Sequence, residues 1–120
     1  MADVNAKLMA ILRIGHDAST KGSGLSLREA LARTEYKANR PYFGPAELRS
    51  AIDANPFLVE EWLSYSEDKR TAGGWYLLRD GELGQTLVPN SRLHYSSIQE
   101  AVTEFIVREL DFWSGVTATV

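Results

Sequence analysis

Residues 66–82, SEDKRTAGGWYLLRDGE, mark the change from the pattern of a helix to that of a β-hairpin. Lys69 and Arg70 suit the last turn of a helix, where cations offset the negative end of the helix dipole. Gly73 or Gly74 can adopt the left-handed conformation that commonly closes a helix. The stretch therefore predicts an α+β fold.

A β-hairpin is predicted over about residues 74–88. Asp80-Gly81 between two apolar runs is typical of a two-residue type I′ turn. This turn would place Leu77 opposite Gly84. One face would then carry Tyr76, Leu78, Leu83 and Leu87, and the other would carry Trp75 and Leu77. Because an isolated hairpin is marginally stable, we expect one face to pack against helices.

The C-terminal helix is predicted to be the centre of the core. Ser97 and Glu100 have the spacing of a capping box, and Ser96 with Gln99 would serve equally well. The apolar stripe of this helix comprises Ile98, Ala101, Val102, Phe105, Ile106, Leu110 and Trp113. Residues 114–120 are expected to form a frayed tail or a short added strand.

Four further helices are predicted upstream. Residues 3–15 carry apolar side chains at helical spacing, and Gly15 is expected to end that helix. The other helix starts are marked by the Ser26–Glu29 capping box, by Pro45, and by Asn55-Pro56. Arg40 is expected to be extended, because Pro41 disfavours the helical conformation of the residue before it.

The whole chain of 120 residues is expected to form one compact domain, residues 1–120. It would hold about five α-helices and one antiparallel hairpin packed against a long C-terminal helix. The chain contains no cysteine, which excludes disulfides, thiolate catalysis and cysteine-based zinc sites. Its start lacks the pattern of a signal peptide, and the longest apolar runs are too short to span a bilayer. We therefore expect a soluble, cytoplasmic protein.

Charge is distributed unevenly along the chain. Residues 1–49 hold eight Lys and Arg against five Asp and Glu, whereas residues 50–120 hold five against eleven. This asymmetry indicates either a charged binding face or two halves that interleave in space.

The sequence gives little support for catalytic or metal-binding chemistry. His16 and His94 are far apart, and neither belongs to a recognisable catalytic or ligand motif. The glycines around Ser23 precede a helix start but lack the order of a phosphate-binding loop. We predict no catalytic residue, no cofactor and no metal ligand, and hence a protein that is not an enzyme.

A basic segment with interleaved aromatics is the candidate for nucleic-acid binding. It comprises Arg28, Arg33, Lys37 and Arg40, among which lie Tyr36, Tyr42 and Phe43. Cations that follow a phosphate backbone and aromatics that stack on bases are the usual elements of such a surface. The net charge of -3 argues against it.

Contact with another protein is the favoured hypothesis. Trp, Tyr and Arg are the usual hot-spot residues, and three Trp and five Tyr exceed what a small core easily buries. The first candidate surface is Lys69, Arg70, Trp75 and Tyr76, and the second is Arg40, Tyr42 and Phe43. Alternatively, Trp75 packs on the last helix beside Trp113.

We therefore expect a non-enzymatic interaction or regulatory domain of the adaptor or inhibitor type, with another protein as its partner. Binding of nucleic acid through the Arg28–Arg40 segment, or of a small ligand, is the alternative.

Overall fold

The computed structural model describes residues 2–17, 26–68, 73–86, 88 and 90–115. Within them the chain forms seven α-helices and a three-stranded antiparallel sheet, which confirms the α+β class. The helices are α1 (Ala2–Leu12), α2 (Ile14–Asp17), α3 (Leu27–Arg33), α4 (Tyr36–Asn39), α5 (Pro45–Ala54), α6 (Phe57–Asp68) and α7 (Ile98–Ser114). A 3-10 turn (Arg40–Tyr42) joins α4 to α5, and the strands are β1 (Trp75–Leu77), β2 (Glu82–Gln85) and β3 (Leu93–His94). No helix of the described part of the chain is long and apolar enough to cross a membrane.

Helix α7 runs through the centre of the core, as predicted. Phe105 and Ile106 are fully buried, and the Phe105 ring meets the Trp62 ring edge-on with 6.2 Å between centroids. Each buried side chain of this size stabilises the fold by about 1.5–3 kcal/mol. Trp113 was predicted to share this stripe, but it is 37% exposed. Its ring lies beside Gly73, which has no side chain to cover it.

Gly15 does not end the first helix, as was predicted; it lies buried within α2 against the ring of Trp62. A Cβ atom at this position would lie 2.7 Å from Trp62 Cδ2, so the close approach of α2 to α6 requires glycine. Trp62 Nε1 in turn donates a hydrogen bond of 2.9 Å to the carbonyl oxygen of Leu12, the last residue of α1. The glycine therefore serves helix packing.

The predicted serine caps are confirmed by hydrogen bonds. The hydroxyls of Ser26 and Ser97 accept the N–H of the residue three positions on, at 3.1 and 3.3 Å. A helix does begin just after Asn55-Pro56, at Phe57, but the Asn55 side chain, which was expected to cap it, donates from its amide to the carbonyl oxygen of Ala51 at 2.9 Å. Asn55 thus supplies a hydrogen-bond donor to a backbone carbonyl in the last turn of α5.

Arg40 is helical, with φ -53° and ψ -39°, although it precedes a proline. The extended conformation that was predicted is overridden by tertiary contacts of the side chain. Arg40 Nε donates to Asp111 Oδ1 on α7 at 2.9 Å, and Nη1 donates to the carbonyl oxygen of Phe43 at 3.1 Å. These bonds hold the 3-10 turn against α7.

The hairpin loop is one residue longer than predicted. Leu78 N–H donates to the Glu82 carbonyl oxygen at 2.9 Å, which leaves residues 79–81 as the loop. Gly81 has a φ of +93°, as expected where a type I turn is followed by a left-handed residue. The predicted two-residue type I′ turn is therefore wrong.

The longer loop shifts the register by one residue, and such a shift exchanges the two faces of a strand. Leu77 pairs with Leu83, and both side chains are fully buried, whereas Leu78 is 44% exposed. The predicted face of Tyr76, Leu78, Leu83 and Leu87 is thus wrong, since Leu83 turns inward; Leu87 lies outside the described residues. Burial of both leucines favours the observed register.

The outward edge of β1 is covered by side chains from two helices. Ser66 Oγ on α6 accepts the Leu77 N–H at 2.8 Å and donates to the Leu77 carbonyl oxygen at 2.9 Å. Glu109 Oε1 on α7 accepts the Trp75 N–H at 2.8 Å. These side chains take the place of a neighbouring strand, so the edge presents fewer unpaired groups for unwanted strand pairing.

Replacing Gly81 with Ala is expected to lower the free energy of unfolding by about 2–3 kcal/mol. An alanine is strained at the φ of +93° that Gly81 adopts, and its Cβ atom would also lie 2.4 Å from the carbonyl oxygen of Tyr95. Gly115→Ala is the matched control, because Gly115 has a φ of +76° but nothing within 4 Å of its Cβ position. It should cost about 1 kcal/mol. Equal losses in urea unfolding would contradict a role for the Tyr95 contact.

Ion pairs between distant described residues connect the basic first half of the chain to the acidic second half. Arg13 lies 3.4 Å from Glu61, and Arg40 lies 2.9 Å from Asp111. The two halves therefore interleave at these points. Part of the charge asymmetry is neutralised by these ion pairs within the fold.

Candidate partner-binding groove

A groove of about 440 Å³ lies between α1, the 3-10 turn and α5. It is lined by Leu8, Tyr42, Phe43, Ala46, Glu47, Ser50 and Ala51. Two of these residues, Tyr42 and Phe43, belong to the second candidate partner surface of the sequence. The groove is therefore the described feature that best matches a sequence-predicted contact.

Tyr42 is the most exposed large hydrophobic residue of the described chain, at 69%. Its neighbours on both sides are fixed. Phe43 is buried with its ring edge-on to Tyr36 at 5.8 Å between centroids, and the Arg40 guanidinium lies 5.4 Å from the centre of the Phe43 ring. Because the backbone is held on either side, Tyr42 projects outward from a rigid support.

A buried hydrogen-bond network anchors this support to α7. Asp111 accepts the Tyr36 hydroxyl at 2.6 Å and the Arg40 guanidinium at 2.9 Å. Burial raises the pKa of Tyr36, and the hydrogen bond to Asp111 raises it further, so the phenol keeps its proton and remains a donor. The network leaves Arg40 engaged inside the protein, which limits its use in contacts with a partner.

Helix α5 contributes the opposite wall. Leu48 and Ile52 are fully buried on its inner side. The lining positions Ala46, Glu47, Ser50 and Ala51 follow the spacing i, i+1, i+4, i+5, which places them along one strip of a helix. Alanine and serine side chains are short, so this strip leaves space between α5 and Tyr42.

Among the described residues that line the groove, Glu47 alone is charged. Its Oε1 accepts the Gly44 N–H at 2.7 Å, which is the only half of a capping box that can form here, because Gly44 has no side chain. The carboxylate is thereby held at the groove by the same bond that satisfies the helix terminus.

The first candidate surface of the sequence is not brought together by the described residues. Trp75 and Tyr76 are neighbours on β1 and therefore point to opposite faces of the sheet. Trp75 is half-buried against the core with the Arg108 guanidinium 4.9 Å above its ring, whereas the Tyr76 hydroxyl donates to Glu82 at 2.9 Å. Lys69 and Arg70 lie outside the described residues.

The basic residues proposed for nucleic acid lie on three different elements, α3, α4 and the 3-10 turn. Arg28, Arg33 and Lys37 are exposed, but Arg40 is paired with Asp111. Arg28 and Arg33 are five positions apart on α3, which separates their directions by about 140°. Arg28 and Arg33 therefore do not lie along one strip that could follow a phosphate backbone, and Arg40 is engaged within the fold.

The histidines lie at different places in the fold. His16 Nδ1 on α2 is 3.8 Å from Glu61 Oε2, and His94 is exposed on β3. Among the described residues no group of three or more His, Asp or Glu side chains could hold a metal ion.

Sequence reasoning missed most of the groove. Leu8 entered the prediction only as one of the apolar residues of the helix over 3–15, and Ala46, Glu47, Ser50 and Ala51 were not singled out. The short side chains of α5 opposite Leu48 and Ile52 are a local signal for a shallow surface, but the facing wall comes from distant segments. Phe112, 44% exposed and in edge contact with Trp113 at 5.0 Å, was also missed.

Comparison of the chain with protein-family models, with curated proteins and with solved structures finds no significant match. Any function must therefore be inferred from the geometry of the groove.

Proposed function

We propose that this protein is a non-enzymatic interaction module, of the adaptor or inhibitor type, that binds a segment of a partner protein in the groove between α1, the 3-10 turn and α5. The observation that carries the proposal is the position of Tyr42. A tyrosine that is 69% exposed, on a support fixed from both sides, stands at the wall of an apolar groove.

The energetics of interfaces support this choice. Tyr is enriched among hot-spot residues, which cost about 2 kcal/mol or more when truncated to alanine. A rigid aromatic loses little conformational entropy on binding, because its neighbours already hold the backbone. A stable interface buries about 1,000 Å² or more in total, so the partner would also contact surface around the groove.

The test is site-specific photo-crosslinking. The chain carries p-benzoylphenylalanine at position 42, is exposed to nuclease-treated lysate of its native host, and crosslinked proteins are identified by mass spectrometry. Position 78 is the matched control, because Leu78 is exposed on the hairpin and does not line the groove. We expect one protein to be crosslinked from position 42 and not from position 78.

Two variants sharpen the test. Ala46→Arg fills the groove, and Tyr42→Ala removes its exposed wall, so both should abolish capture of the partner. Trp75→Ala examines the first candidate surface and should leave capture intact. Capture that survives the groove variants but is lost with Trp75→Ala would refute the groove and favour the hairpin.

A small apolar ligand is the second candidate, because the groove volume of about 440 Å³ falls within the range of small-molecule sites. A fragment screen by NMR, with Ala46→Arg as the control, tests it. Fragments that shift the Ala46 and Ala51 methyl signals of the parent protein would favour this alternative.

A further inference from the structure

Two cations on the helices around the groove, Lys7 and Arg49, are already paired. Lys7 on α1 pairs with Glu35, and Arg49 on α5 pairs with Asp53 at 3.1 Å. Within the described residues Glu47 forms no ion pair, and its hydrogen bond from the Gly44 N–H uses Oε1 alone. The groove therefore presents one negative charge that no cation of the described chain neutralises.

The remaining lining residues are apolar or carry a hydroxyl. Leu8, Phe43, Ala46 and Ala51 present hydrocarbon, while Tyr42 and Ser50 add neutral hydroxyls. An apolar partner side chain suits this space, because most of the lining is hydrocarbon and a polar group without a partner is costly to bury. A cation beside it would meet the Glu47 carboxylate, whereas an anion there would be repelled.

Resting on the proposed function, we infer that the partner presents a short basic-apolar segment: one large apolar side chain that fills the groove and a neighbouring Lys or Arg that pairs with Glu47. The apolar side chain supplies most of the affinity, since the pair with Glu47 lies at the exposed rim. The charge acts mainly on selectivity and on the dependence of binding on salt.

The test uses random dodecapeptides displayed on phage and selected on the full chain, with counter-selection on the Ala46→Arg variant. The enriched peptides should combine an aromatic or large aliphatic residue with Lys or Arg nearby. A synthetic copy of the leading peptide, measured by fluorescence polarisation, should lose at least about tenfold in affinity with Tyr42→Ala.

The charge is tested by Glu47→Gln, which keeps an acceptor for the Gly44 N–H and removes the negative charge. Affinity for the leading peptide should fall about two- to fivefold at low salt, and the difference should shrink in high salt. Leu78→Ala is the matched control and should bind as the parent does. Circular dichroism confirms that each variant is folded.

The outcomes separate this inference from the proposed function. Peptides that are lost with Ala46→Arg and Tyr42→Ala, but show no excess of Lys or Arg or no response to Glu47→Gln, would overturn the inference and leave groove binding standing. Peptides indifferent to the groove variants, or no peptide that prefers the parent over Ala46→Arg, would count against both.

Discussion

Phe105→Ala is expected to lower the free energy of unfolding by about 3–5 kcal/mol. Phe105 is fully buried in α7 and stands between two other core aromatics, 6.2 Å from Trp62 and 6.1 Å from Tyr65 between ring centroids. Truncation would remove the apolar surface of the ring and leave a cavity that α6 and α7 fill only in part. Urea unfolding followed by circular dichroism measures the loss.

Phe112→Ala is the matched control, because Phe112 lies on the same helix but is 44% exposed. Its removal should cost less than about 1.5 kcal/mol, mostly through the edge contact with Trp113. Similar losses for Phe105→Ala and Phe112→Ala would contradict the assignment of α7 as the central core helix.

Glu109→Ala is expected to lower the free energy of unfolding by about 2–5 kcal/mol, since two donors would lose their acceptor. Glu109 is fully buried; it accepts the Tyr65 hydroxyl at 2.7 Å and the Trp75 N–H at 2.8 Å. Burial raises the pKa of Tyr65, and the adjacent Glu109 carboxylate raises it further, so the phenol keeps its proton and donates.

The conservative variant Glu109→Gln separates loss of acceptors from loss of charge. Glutamine keeps one carbonyl oxygen for the Trp75 N–H, and its amide can donate to a Tyr65 hydroxyl that has rotated. It should therefore cost clearly less than Glu109→Ala in urea unfolding, and a double-mutant cycle with Tyr65→Phe measures the coupling. If the alanine and glutamine variants are equally stable, the hydrogen bonds to Glu109 contribute nothing measurable.

The importance of Glu109 also explains how the sheet is joined to the helices. Its bond to Trp75 and the paired bonds of Ser66 to Leu77 satisfy the outward edge of β1. Loss of Glu109 should thus loosen β1 as well as the core, which hydrogen exchange at the Trp75 amide would report.

Features that depend on neighbours along the chain could be predicted from the amino-acid sequence alone. The stripe of α7, except for Trp113, and the caps at Ser26 and Ser97 were predicted correctly, because helical periodicity and capping involve residues three or four positions apart. The change from helix to strand near Gly74 was also readable, and Gly74 has a φ of +80°. These interactions require no knowledge of distant segments.

The hairpin register and the conformation of Arg40, in contrast, depend on contacts between residues that are distant in sequence. Asp80-Gly81 fits more than one loop length, and the choice follows burial of Leu77 with Leu83. Arg40 is helical before a proline because Asp111, distant in sequence, holds its guanidinium. Local preferences in both places amount to about 1 kcal/mol, which is less than the core contacts that oppose them.

The groove likewise depends on contacts between distant residues and could not be predicted from the sequence alone. Leu8, Tyr42 and the small residues of α5 come from separate segments, and each alone is an ordinary helix or turn residue. Tyr42 stood out in the sequence as an aromatic near arginines, but its exposure depends on the burial of Phe43 and Tyr36 beside it. A binding surface built between helices depends on which faces remain after the core has formed, and the core is decided by contacts between distant residues.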